Sequence, residues 1–245
     1  MLLKQFLMDE YRFLTFRAPS GAIREHPGAY LAFGLLLTWA AGVGRYWDSP
    51  DAFYWQYLGF ASLAYVFLLA LVLWSLVAPL GPRNWSYRNV LLFLALTAPP
   101  ALLYAVPVER FLELATAHAV NSAFLAVVAT WRVALLFVFL KSVAGLTGFT
   151  IVIAALLPLA LVIDGIALMG FQQVVYQNMV GAHDPEGQTG TGRDIVDLVC
   201  MLAMVLTPVL GACYAWMVST RTSAHPLRGC CARFACSRLE GRKPQ

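Results

Sequence analysis

Two ionisable side chains stand in stretches otherwise built mainly from Leu, Val, Ala and Phe: Arg132, within Ala119–Leu140, and Asp164, within Phe149–Gly170. A charge in such surroundings is costly, because hydrocarbon offers it neither water nor a counter-ion, so charges of this kind mark ion or proton paths, substrate contacts or partnered structural sites. A buried carboxylate can shed its charge by taking up a proton, whereas a guanidinium cannot. If both runs are helices crossing a bilayer, Arg132 lies about 20 Å and Asp164 about 9 Å from the same face at the helical rise. That difference in depth favours a water-mediated link or separate partners as much as a direct pair. Snorkelling of Arg132 and an interhelical hydrogen bond to Asp164 are the plain structural alternatives.

The second chemically capable set is acidic. Glu109 and Glu113 are spaced for one face of a helical stretch opened by Pro107, His118 follows off that face, and His183, Asp184 and Glu186 cluster in a later connection. Carboxylates and imidazoles serve acid–base and metal chemistry, but the spacing matches no metalloprotease or intramembrane-protease signature. A solvated acidic face is the simplest reading. The third set, His225, Cys230, Cys231 and Cys236, has ligand types that zinc accepts, yet adjacent cysteines depart from the usual spacing, so neither metal nor cofactor is expected. These cysteines also suit reversible acylation in a basic tail, and a reduced tail touching anionic headgroups is the plainest reading. Cys200 and Cys213 read as small packing residues. Gly-Gln-Thr-Gly-Thr-Gly at 187–192 lacks the preceding strand and following Lys of a phosphate loop, and reads as a flexible connection.

The elements that must position these groups follow from composition. Of 245 residues, 60% are hydrophobic and 12% charged, too little polar surface to cover a soluble domain. About six apolar runs have the length a bilayer requires, and each must be helical to satisfy its backbone. They cover Ala29–Val43, Phe53–Leu80, Asn89–Val106, Ala119–Leu140, Phe149–Gly170 and Ile195–Val218. The expected fold is thus all-α, a polytopic membrane bundle. Pro99 and Pro100 should break the third span, while Pro158 and Pro208 are packed kinks or hinges in the fifth and sixth. Residues 1–28 form an N-terminal segment too charged for a signal sequence. In it Leu3, Phe6, Leu7, Tyr11 and Leu14 recur at helical intervals with Lys4, Asp9, Glu10 and Arg12 between, as in a helix lying at the membrane interface. The spanning domain is 29–218 and a basic tail, 219–245, follows.

Positive charge partitions between alternate connections. Thirteen Lys and Arg fall in the N-terminal segment, the second and fourth connections and the tail, against three, Arg45, Arg110 and Arg193, in the others. Short basic segments stay cytoplasmic, so both termini are expected inside. Fourteen Arg against three Lys, with abundant Ala, point to a GC-rich genome and a bacterial cytoplasmic membrane. Aromatic clusters at 46–57 and 85–87 read as interfacial anchors. Small residues such as Gly34, Gly42, Gly59, Ala61 and Gly211 let helices approach closely. With no catalytic constellation, the leading functional expectation is a non-enzymatic membrane component that packs against lipid, other membrane proteins or copies of itself, with no nucleic-acid partner. A small transporter or channel using Arg132 and Asp164 comes second, and an outer-face enzyme using the carboxylates and histidines third.

Overall fold

The computed structural model describes residues 2–47, 53–173 and 190–223. Among them every regular element is helical: α1 (Leu2–Leu14), α2 (Ala22–Glu25), α3 (Pro27–Tyr46), α4 (Tyr54–Tyr57), α5 (Phe60–Val77), α6 (Tyr87–Leu96), α7 (Leu114–Ser142), α8 (Phe149–Leu168) and α9 (Gly190–Ser223), with short 3-10 segments between. Five helices are long and apolar enough to cross a membrane, and α6 with the 3-10 segment Pro99–Ala105 makes a sixth if that pair, bent by 42°, counts as one span. The chain is therefore an all-α bundle of the membrane type.

Local chemistry sets the element ends. Pro27 opens α3, where a missing N–H costs nothing. Ser86 caps α6 by accepting the backbone N–H of Asn89. The expected single span Phe53–Leu80 is divided: α4 is one turn, Gly59 adopts φ +71°, and α5 starts only at Phe60. Gly59 fits because a side chain there would be strained and would meet the Trp39 carbonyl at 2.8 Å. The break at the tandem prolines occurs as expected, whereas Pro158 and Pro208 both lie inside continuous helices. At the far end, Gly190–Gly192 belong to α9 rather than to a loop, and α9 runs past Val218 to Ser223.

The core joins α5, α6, α7 and the start of α8, through Val66, Ala70, Leu73, Val90, Phe93, Leu135, Phe139 and Ala154, with Leu31 of α3 packed against it. Phe93 and Phe139 stack at 4.2 Å, and Phe13 of α1 meets Phe93 edge-on at 6.0 Å. Close approach of α3 is built on glycine: a Cβ at Gly34 would lie 2.9 Å from Ala95, at Gly42 2.6 Å from Ser62 and at Gly44 2.8 Å from Ala105. Gly211 does not share this role, since its site faces open space. α9 packs mainly on α8 and is peripheral: 11% of its spanning window is buried, against 28% to 33% for the other long spans.

Helix α1 is present but turned differently from its apolar pattern. Leu3, Leu7 and Tyr11 are exposed, and Asp9 and Glu10 are the buried positions. Phe6 and Phe13 face the bundle instead, Phe6 packing against Tyr30 at 4.6 Å and Phe33 at 5.4 Å.

Candidate functional site

Arg132 is positioned by the broken third span. Pro99 and Pro100 carry no N–H, and the next donor, Ala101, bonds the Ala98 carbonyl, so the Thr97 carbonyl has no helical partner. In an apolar medium such a carbonyl needs a donor from elsewhere. Arg132 of α7 supplies it, its Nε donating to the Thr97 oxygen at 2.9 Å. Thr38 donates to Gly34 at 2.9 Å and stands 3.5 Å from the neighbouring Ala95 carbonyl. The polar groups whose fields reach Arg132 are Tyr65, Tyr104 and Arg45. Arg45 lies over the Tyr104 ring at 4.6 Å. A charge close to the mid-depth of the span is thus used as a backbone cap.

The same device recurs with tryptophan. Trp39 donates to the Leu58 carbonyl at 2.8 Å beside the Gly59 break, Trp47 to Ala105 at 3.1 Å, Trp85 to Trp74 at 3.0 Å, and Trp131 to Leu14 at 3.0 Å. Each indole donates to a carbonyl at or near a helix end, where carbonyls run short of intrahelical donors; the Trp74 carbonyl accepts the Ala78 N–H as well. Interfacial anchoring accounts for these aromatics only in part.

Asp164 lies elsewhere. It is half-buried on α8, with Oδ1 enclosed and unpartnered among the described residues. Its helix, α8, is the one on which α9 packs. Asp197 accepts from Gln173 Nε2 at 2.9 Å. The Thr207 hydroxyl on α9 is likewise enclosed without a partner among the described residues. Arg132 therefore answers to α6, whereas Asp164 stands on the helix paired with α9.

The acidic set does not assemble as one helical face. Glu109 sits in a single 3-10 turn, Val108–Arg110, whereas Glu113 is the extended N-cap of α7 and exposed. His118 is carried by α7, but the side chains of Glu109 and His118 fall outside the described part. His183, Asp184 and Glu186 lie outside the described residues, as do His225, Cys230, Cys231 and Cys236 of the tail. Among the described residues no three His, Cys, Asp or Glu side chains gather as a metal site.

What the sequence did not disclose is the acid pair on α1. Asp9 accepts from Ser20 N–H at 2.8 Å, from Ser20 Oγ at 2.6 Å and from the Tyr30 hydroxyl. Burial by itself would push this carboxyl up; the Ser20 and Tyr30 hydrogen bonds and the Arg12 charge outweigh it and hold the pKa below the ordinary value. Glu10 is the opposite case: both carboxylate oxygens are enclosed without a hydrogen bond among the described residues, and burial raises its pKa to about 8. The available signal was that α1 carries apolar residues on two sides, Phe6 and Phe13 on one and Leu3, Leu7 and Tyr11 on the other, so either could be the covered face. Comparison with known protein families, with characterised proteins and with solved structures finds no match to the chain.

Proposed function

We propose that the protein is a non-enzymatic integral membrane component that works by packing its helices against partner membrane proteins, against copies of itself or against lipid, with six spans and both ends of the chain on the cytoplasmic side. The observation that carries this reading is α9. Leu198, Leu202, Val205 and Val209 leave it exposed at 62%, 55%, 67% and 58%, an apolar stripe that needs lipid or another helix to cover it. Arg132 supports the same reading, since its hydrogen bond to the backbone at a helix break is a structural use. The test is thiol crosslinking in native membranes, with single cysteines along α9 in a chain whose own cysteines are replaced by alanine. Adducts at Leu202→Cys and Val205→Cys that spare the buried Ala203 and Leu210 are expected, and their absence at every exposed position would remove partner packing. Labelling of Arg88→Cys only from outside would overturn the sidedness.

A small transporter is the second reading, favoured by one observation: Oδ1 of Asp164 is enclosed without a partner among the described residues. An ionisable side chain within a membrane-spanning helix is a default candidate for an ion or substrate path. An Asp164→Asn protein that folds but loses a transport or growth phenotype supports it, and one that is stable and fully active removes it.

A further inference from the structure

The exposed side of α1 is divided lengthwise. Leu7 and Tyr11, one turn apart, follow one edge with Leu3 and are 54%, 62% and 63% exposed respectively. Lys4 and Gln5, both exposed, and the half-buried Arg12 follow the other edge, with Met8 between Lys4 and Arg12. This is the division an interfacial helix uses: one edge in the acyl boundary, the other at headgroup level.

Along the basic edge the chain forms a hollow of about 290 Å³, lined by Lys4, Gln5, Met8, Asp9, Arg12 and Ser20. Its floor is the Asp9 carboxylate, whose oxygens already accept from Ser20 and Tyr30. Arg12 stands 4.0 Å from Asp9 with its side chain 43% exposed, a distance at which most of its donors stay free for another acceptor. Two cations therefore flank one internally satisfied carboxylate, and the balance of the hollow is positive. Beside it, Met8, Leu7 and Tyr11 offer an apolar surface for the first part of an acyl chain.

We propose that this hollow seats the phosphodiester headgroup of an anionic glycerophospholipid from the surrounding leaflet, with Lys4 and Arg12 on the phosphate oxygens and the glycerol end over Met8. Charge-assisted hydrogen bonds from a guanidinium and an ammonium suit a phosphodiester. A zwitterionic headgroup gains less, because the one carboxylate available to its amine already has its own donors. The proposal deepens the lipid-packing reading above and rests on α1 lying at the bilayer surface.

The experiment uses the full chain in bilayers containing a photoactivatable phosphatidylglycerol or the matching phosphatidylcholine, with crosslinked peptides mapped and α9 peptides as the internal standard. The phosphatidylglycerol probe is expected to label residues 2–14 several-fold more than the phosphatidylcholine probe. Lys4→Gln with Arg12→Gln should abolish that excess, while Lys4→Arg with Arg12→Lys should keep it, both with the wild-type melting midpoint. Equal labelling of α1 by the two probes, or an excess that survives the double Gln variant, would overturn the headgroup assignment. Suppression by millimolar inorganic phosphate would reassign the hollow to free phosphate. No labelling of α1 by either lipid, with α9 still labelled, would show instead that α1 does not lie in the bilayer surface.

Discussion

The body formed by α1 to α7 and the pair formed by α8 and α9 treat buried polarity in opposite ways. In the body, Asp9 and Arg132 have partners from neighbouring segments, the Thr38 and Thr97 hydroxyls bond carbonyls of their own helices, and the indoles of Trp39, Trp47, Trp85 and Trp131 donate to carbonyls at or near helix ends. Glu10 is the exception there. Asp164 and Thr207 of the pair enclose oxygens with no partner among the described residues. The contrast teaches that an intramembrane charge cannot be assigned a role from its depth alone. Arg132 and Asp164 look alike in the sequence, but one closes a backbone defect while Oδ1 of the other is enclosed without a partner among the described residues.

The largest expected effect tests the exception within the body. Folding raises the Glu10 pKa from an ordinary 4.5 to about 8, so the unfolded chain loses this proton first as pH rises. Stability should therefore be highest below pH 4.5 as far as Glu10 is concerned, fall between pH 4.5 and about 8, and level off above. At about 1.36 kcal/mol per pKa unit the loss can reach a few kcal/mol. Asp9, held low, acts in the other direction and loses its contribution only as acid protonates it. Glu10→Gln should flatten the slope between pH 4.5 and about 8 in melting scans of the detergent-solubilised protein; an unchanged slope would show that Glu10 is not the titrating group.

Arg132→Met tests whether the body needs its partners. It leaves the Thr97 carbonyl enclosed without a donor and should cost about 1.5–3 kcal/mol, the range for hydrogen bonds to charged groups. A loss below about 0.5 kcal/mol in denaturant titration would mean the carbonyl finds another donor.

The glycines sharpen the comparison through packing. Gly42→Ala places a Cβ 2.6 Å from the Ser62 hydroxyl, and overpacking of this kind costs about 1–3 kcal/mol. Gly211→Ala on α9 meets nothing within 4 Å, so helix propensity should dominate and stabilise by about 0.5–1 kcal/mol. Opposite signs in thermal melts are expected; equal signs would mean that α9 is covered as closely as α3.

Smallest is the effect of Asp164→Asn on stability, expected within about 0.5 kcal/mol because no hydrogen bond to Oδ1 from the described residues is lost. A destabilisation comparable to that of Arg132→Met, measured in the same titration, would erase the distinction between the two charges.

The spans were legible because a long apolar run is a strong signal and a bilayer admits few backbone solutions for it. Tandem proline was equally legible, since the loss of two N–H groups is a property of the residues themselves. Gly59 was not: within Phe53–Leu80 it looked like one more small residue, and its left-handed φ follows from the approach of Trp39. Gly34 and Gly42 were read correctly as close contacts, while Gly211, of the same type in a similar setting, faces open space. The acid pair on α1 was missed because amphipathicity names two faces and does not say which one the protein covers.

The sequence by itself determined the helical class, the presence of five to six helices apolar enough to span a membrane and the break at Pro99 and Pro100, because these depend on side-chain hydrophobicity and on donors present or absent within a short segment. Only the tertiary structure decided that Arg132 serves Thr97, that the helix of Asp164 packs against α9 and that Asp9 and Glu10 turn inward. Each of those depends on which groups from distant parts of the chain come to surround the side chain, and that is fixed by packing rather than by any local pattern.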